Sequence, residues 1–132
     1  MTTVLFACVH NAGRSQIAAA LFNRHADPSK AHAISAGTQP ADRVHPEVMA
    51  LMGELEIDLA GHRPQKLTNA LAGEAHWLIT MGCGDQCPVV PGARRDDWPL
   101  ADPKGQPMTR VREIAAEIEA RVVRLLDSQG WR

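Results

Sequence analysis

The chain alternates short, wholly apolar runs with longer segments in which apolar residues return every three or four positions. Val4-Leu5-Phe6-Ala7 is a continuous apolar run of the kind that fills a strand buried on both faces. From Ser15 the spacing changes. Ile17, Ala18, Leu21, Phe22 and His25 fall on one face at helical steps, and Asp27-Pro28-Ser29 ends that segment. Ala31 to Ala36 reads as a second strand, closed by Gly37. His45-Pro46 opens a second helix with Val48, Met49, Leu51, Met52 and Leu55 turned inward. Gly61-His62-Arg63-Pro64 reads as a loop, and a short helix is expected over Gln65 to Leu71. His76 to Met81 forms a third strand, and a short fourth is expected near Arg94 to Trp98. Pro107 suits the first helical position, where its missing N–H needs no partner. Val111, Ile114, Ala115, Ile118, Val122 and Leu125 then make the core stripe of a long last helix, which Gly130 closes.

Strands and helices in this order predict an α/β fold: a parallel sheet, helices on both faces and right-handed crossovers. Ligands in such sheets sit beyond the carboxyl ends of the strands. Two of those ends carry the cysteines. At 132 residues, without repeat or linker, the chain is expected to be one domain over 1–132. Its net charge of −1 leaves no basic patch, since Arg94-Arg95 is followed at once by Asp96-Asp97. Neither a nucleic acid nor a membrane surface is therefore expected as a partner. No leader-like segment and no apolar run near the ~20 residues of a bilayer span is found, so the expected location is the cytoplasm. In that compartment the three cysteines point to redox chemistry or metal binding rather than to structural disulfides.

Cys8-Val9-His10-Asn11-Ala12-Gly13-Arg14-Ser15 joins the first strand to the first helix. A loop wrapped at a helix start turns backbone N–H groups inward, and the helix dipole adds positive potential, so Val9 to Ser15 are expected to cradle an oxyanion. Arg14 can clamp two oxygens of a tetrahedral anion with its planar fork. The same field favours the thiolate of Cys8, and the Ser15 hydroxyl can donate to it. Nucleophile and cradle are thus built from eight residues.

Cys83 and Cys87 share the glycine-containing segment Gly82-Cys83-Gly84-Asp85-Gln86-Cys87. They come within disulfide distance if that segment is helical or tightly turned. A structural zinc site would need four ligands, commonly two close pairs, and no second pair accompanies these two, so no metal is expected. Inert structural thiols remain the other alternative.

Cys8, Arg14 and Ser15 match the C-x5-R-S signature of the low-molecular-weight tyrosine phosphatases and of the arsenate reductases that share their fold. Asn11 falls on that family's loop asparagine. Ser35-Ala36-Gly37, Ile57-Asp58 leading to Gly61-His62-Arg63, and Asp102-Pro103 look like further landmarks, so the resemblance covers nearly the whole chain. It implies a three-layer α/β sandwich around a four-stranded parallel sheet. It also implies a general acid at Asp102, ahead of the last helix. The pair Cys83 and Cys87 resembles the second and third cysteines of thioredoxin-linked arsenate reductases, with only three residues between them.

The resemblance then implies a relay. Cys8 attacks arsenate, Cys83 resolves the adduct, and Cys87 receives the disulfide. An external thiol reductant restores the enzyme: thioredoxin, or a low-molecular-weight thiol such as mycothiol with its redoxin. No bound cofactor is implied. The alternative is a hydrolase of the phosphatase type. The chain has no tyrosine, and the segment around Asp102 has no aromatic residue to embrace a phosphotyrosine ring. A small inorganic anion is therefore the expected substrate.

Overall fold

The computed structural model describes residues 1–59, 61–82 and 92–132. The elements run β1 (Thr2–Cys8), α1 (Arg14–His25), β2 (Ala31–Gly37), α2 (Pro46–Glu54), α3 (Asn69–Gly73), β3 (Trp77–Thr80), β4 (Arg94–Asp97) and α4 (Met108–Gln129). The strands form one sheet in the order β2-β1-β3-β4, every neighbouring pair parallel. β1 lies inside it, with Leu5 facing Ile34 on one side and Leu78 on the other. Val4 to Ala7 are wholly buried, as an interior strand of a covered sheet requires.

One face of the sheet carries the larger core. There Phe6, Ile17, Leu21, Phe22, Val48, Met52, Ile114 and Ile118 pack with Trp98 between the strands and α1, α2 and α4. Phe6 is its aromatic centre, edge-on to Phe22 at 6.0 Å and tilted against Trp98 at 5.5 Å between ring centroids. The opposite face is thinner. Leu5, Ala7, Ala36 and Leu78 meet Ala72 and Ala75, with Leu67 and Leu71 partly covering them. Helices thus cover both faces, giving the three layers expected.

Four details differ from the sequence reading. The expected helix over Gln65 to Leu71 is displaced to Asn69–Gly73. Its start is set by Thr68, whose hydroxyl accepts the Leu71 N–H at 3.1 Å, while Gln65 to Leu67 extend alongside Gly37 in a short bridge. Met49 lies on the exposed side of α2, so Val48, Leu51 and Met52 alone are buried there. In α4 the four-residue step from Val122 carries the core stripe to Leu126, and Leu125 is only partly buried. Pro107 is the N-cap of α4 rather than its first helical residue. Gly130, in the left-handed region at φ 71°, ends α4 as expected, and its N–H bonds to the Leu126 carbonyl. Among the described residues no helix is long and apolar enough to cross a membrane.

Candidate active site

The turn from β1 into α1 is shaped from outside. Every carbonyl from Cys8 to Gly13 is engaged away from the loop's hollow side. Cys8 O accepts from Thr38 N (3.2 Å), Val9 O from Gln39 N (2.8 Å), His10 O from Ala41 N (3.0 Å) and Ala12 O from His45 N (2.9 Å). Asn11 O accepts from the Gln16 side chain (3.0 Å), and Gly13 O from Ile17 N (3.0 Å). The irregular segment after Gly37 therefore braces the loop like an outer hoop. With its carbonyls held outward, the loop's amides are left to face inward. No side chain caps α1 and its first turn holds no acidic residue, so nothing within that turn competes with an anion for the helix's positive end.

Cys8 closes β1 with its thiol 2.8 Å from the Ser15 hydroxyl, both buried. The polarity of the neighbouring contacts is set by a backbone group that can only donate, the Gln65 N–H. Gln65 N–H donates to Asn11 Oδ1 (3.0 Å), which turns Asn11 Nδ2 toward Ser15 Oγ (2.8 Å). Ser15 Oγ is thus an acceptor from Asn11, which leaves its own proton free to point to the Cys8 sulfur. A donor so placed stabilises a thiolate over a thiol. Asn11 sits in the left-handed region at φ 51°, which asparagine tolerates better than most residues. Gly37, the β2 partner of Cys8, lies under this turn. A Cβ there would fall 2.6 Å from Val9 O and 2.9 Å from Asn11 N.

Arg14 opens α1 and draws three parts of the chain together. Its guanidinium donates to Leu100 O (3.1 Å), stands 3.8 Å from the Asp102 carboxylate and rests on Gly82 at the end of β3. Gly82 has φ +97°, and a Cβ on it would collide with the guanidinium. Asp102 is half-exposed, and its other carboxylate oxygen accepts from Lys104 N (3.0 Å), which closes a tight turn. Pro103 packs against Gly13, and Glu47 of α2 accepts from Gly105 N–H (3.0 Å). The acid loop is therefore fastened to both the anion loop and α2.

The structure thus gathers Cys8, the Val9–Ser15 turn, Arg14 and Asp102 in one place. Cys83 and Cys87 lie outside the described residues. The sequence reading did not single out Gln16, Gln65, His45 or Glu47 for the site. Gln16 is buried beside Ile17, and a polar residue on the inward side of an apolar helix was the available signal. His45, the N-cap of α2, stacks on Gly13 and is held below its usual pKa. Burial is the main cause; Glu47 and Asp102 oppose it, while Lys104 and His10 add to it. Among the described residues no cluster of His, Cys, Asp or Glu is arranged to hold a metal.

Residues 3–130 match the family model described as low molecular weight phosphotyrosine protein phosphatase. Among similar proteins, a putative arsenate reductase of Halobacterium salinarum is 39% identical over 92% of this chain and 89% of its own length. The glutaredoxin arsenate reductase of a Synechocystis strain is 33% identical over 96% of this chain and 97% of its own. Among solved structures, a thioredoxin-dependent arsenate reductase of Corynebacterium glutamicum superposes with a TM-score of 0.83 at 40% identity. That match covers 97% of this chain but only 61% of the solved one. A braced anion loop in the C-x5-R-S pattern, on a sheet of order β2-β1-β3-β4, and a family match from end to end agree: the chain belongs to the low molecular weight phosphotyrosine protein phosphatase family.

Proposed function

We propose that this protein reduces arsenate to arsenite at Cys8, with Cys83 and Cys87 taking up the oxidising equivalents. The observation that carries the reading is the buried Cys8 thiol, 2.8 Å from a hydroxyl whose proton is free to point toward it, at an uncapped helix start. That site suits a tetrahedral oxyanion and a thiolate nucleophile. The two further cysteines separate reduction from hydrolysis, because hydrolysis at Cys8 would need neither. Relatives of matching length that are named arsenate reductases support the same choice.

In the proposed sequence, the Cys8 thiolate attacks arsenic and an oxygen leaves as water, protonated by Asp102. Arg14 and the inward amides hold the charge of the remaining oxygens. The Cys83 thiolate then attacks the Cys8 sulfur. The S–As pair stays on arsenic, which departs as arsenite, and a Cys8–Cys83 disulfide forms. Cys87 attacks Cys83 and frees Cys8. The resulting Cys83–Cys87 disulfide passes to an external dithiol, thioredoxin or a low-molecular-weight thiol with its redoxin, in the cytoplasm.

Arsenite production by the purified protein, with thioredoxin and a low-molecular-weight thiol system compared, tests the reading. Cys83→Ser should stop turnover of arsenate while leaving hydrolysis of an activated aryl phosphate largely intact. Efficient aryl phosphate hydrolysis without arsenite production would assign the site to the hydrolase alternative.

A further inference from the structure

We propose that Gln16 is a positioning residue that fixes the direction of a buried hydrogen-bond relay ending on Cys8. The inference rests on the reading of Cys8 as the nucleophile and goes beyond it, since Gln16 hydrogen-bonds to Asn11 and not to Cys8 itself. Its amide nitrogen donates to Asn11 O (3.0 Å) and to Asn11 Oδ1 (3.2 Å). A carbonyl can only accept, so the Gln16 amide has one possible orientation. Asn11 passes the same polarity to Ser15, and Ser15 to Cys8. Each of the four residues is at least nine-tenths buried: Gln16 is 4% exposed, Cys8 3%, Asn11 and Ser15 0%. In such surroundings neighbouring hydrogen bonds polarise one another, and a misdirected donor has no water to turn to.

Gln16 does two jobs at Asn11. It satisfies the carbonyl of the left-handed residue Asn11, the one carbonyl of Cys8 to Gly13 that no backbone N–H of the described residues reaches. Together with Gln65 N–H it also pins Oδ1, so that Nδ2 must face Ser15. Without Gln16, Asn11 O is left unpaired in a buried site and Oδ1 keeps one anchor of two. Gln16 also lines a cavity of about 190 Å³. Among the described lining residues only His62 and Arg63 are titratable or charged.

The experiment compares Gln16→Met and Gln16→Glu with the wild-type chain, each checked for folding by circular dichroism. Two readouts do not depend on arsenate reduction: phosphate affinity, and the rate of Cys8 alkylation by iodoacetamide followed by peptide mapping. Gln16→Met keeps the length but has no donor. It should weaken phosphate and slow Cys8 alkylation by about ten-fold each at pH 7, equivalent to about 1.4 kcal/mol. Gln16→Glu when ionised sets an acceptor against two acceptors; when protonated it regains one donor. Its phosphate affinity relative to wild type should therefore recover as the pH falls from about 8 to about 5, while that of Gln16→Met stays flat. Wild-type behaviour of Gln16→Met overturns the proposal. So does a Gln16→Glu profile that parallels Gln16→Met, which would make Gln16 a packing residue only. If arsenate is not reduced but both readouts behave as stated, the relay stands and the substrate assignment falls.

Discussion

Replacing Gly37 by alanine tests whether the anion loop truly rests on the end of β2. The new methyl would sit 2.6 Å from Val9 O, 2.9 Å from Asn11 N and 3.0 Å from Asn11 Cβ. Ordinary carbon contacts begin near ~3.5 Å, so the carbonyl must retreat by about 0.9 Å. It cannot do so freely. Val9 O is bound to Gln39 N, and Asn11 is held by Gln16 and Gln65. Overpacking of this kind costs about 1–3 kcal/mol, offset by about 0.4–1 kcal/mol from a stiffer unfolded chain. The net cost is about 0–2.6 kcal/mol, so at about 4 °C per kcal/mol Tm should fall by up to about 10 °C. Function should suffer more, because a loop shifted by about 1 Å no longer meets its anion: kcat/KM for arsenate should drop about 10²-fold, with phosphate competing correspondingly less well. Gly73→Ala serves as control, since its added methyl meets nothing within 4 Å. Thermal unfolding and arsenite production measure the two effects. Full activity in Gly37→Ala, with Tm within a degree of wild type, would refute the braced-loop account.

Three further outcomes follow from the same geometry. Cys8→Ser should abolish arsenate reduction and any aryl phosphate hydrolysis together; retention of either activity would remove Cys8 from the chemistry. Gly82→Ala forces alanine to φ +97° and drives its methyl into the Arg14 guanidinium, so KM for arsenate should rise about ten-fold or more, with a smaller change in kcat. Burial holds the His45 pKa below its ordinary value, so the unfolded chain takes up a proton at this residue first on acidification. That contribution is absent above the ordinary histidine pKa near 6.5, and stability declines as the pH falls through and below it. His45→Gln should flatten this decline in chemical unfolding curves between about pH 7 and pH 5; an unchanged slope would place the proton uptake elsewhere.

Much of this was readable from the letters. β1 and α1 are marked by a change of apolar period at Cys8 to Ser15, and the same stretch holds the proposed nucleophile, the arginine and the serine. What escaped depends on contacts far apart in sequence. Gln65 to Leu67 has no helical future because Gly37, about thirty residues earlier, offers it a bridge. Met49 and Leu125 satisfy a helical stripe as well as Leu51 and Leu126 do, and only the shape of the opposing layer decides between them. His45 and Glu47 act on the site through neighbours that the fold alone supplies, so no local pattern announces them, and Gln16 shows only as a polar residue on the inward side of an apolar helix.

The sheet's two outer margins bear on how copies of the molecule meet. An open strand margin offers a foreign chain a ready template for pairing, a common route to aggregation. Here the β2 margin is occupied from within: Asn23 of α1 exchanges two hydrogen bonds with Ala33, and Gln65 takes Ser35 O and Gly37 N. At the other margin, β4 consists wholly of exposed charges, Arg94, Arg95, Asp96 and Asp97. One border is thus filled by side chains that mimic a neighbouring strand, and the other would require an incoming backbone to strip water from four ions. A protein built this way should tolerate crowding without stacking sheet on sheet, and the Asn23 amide is the part of that protection that a single substitution could undo.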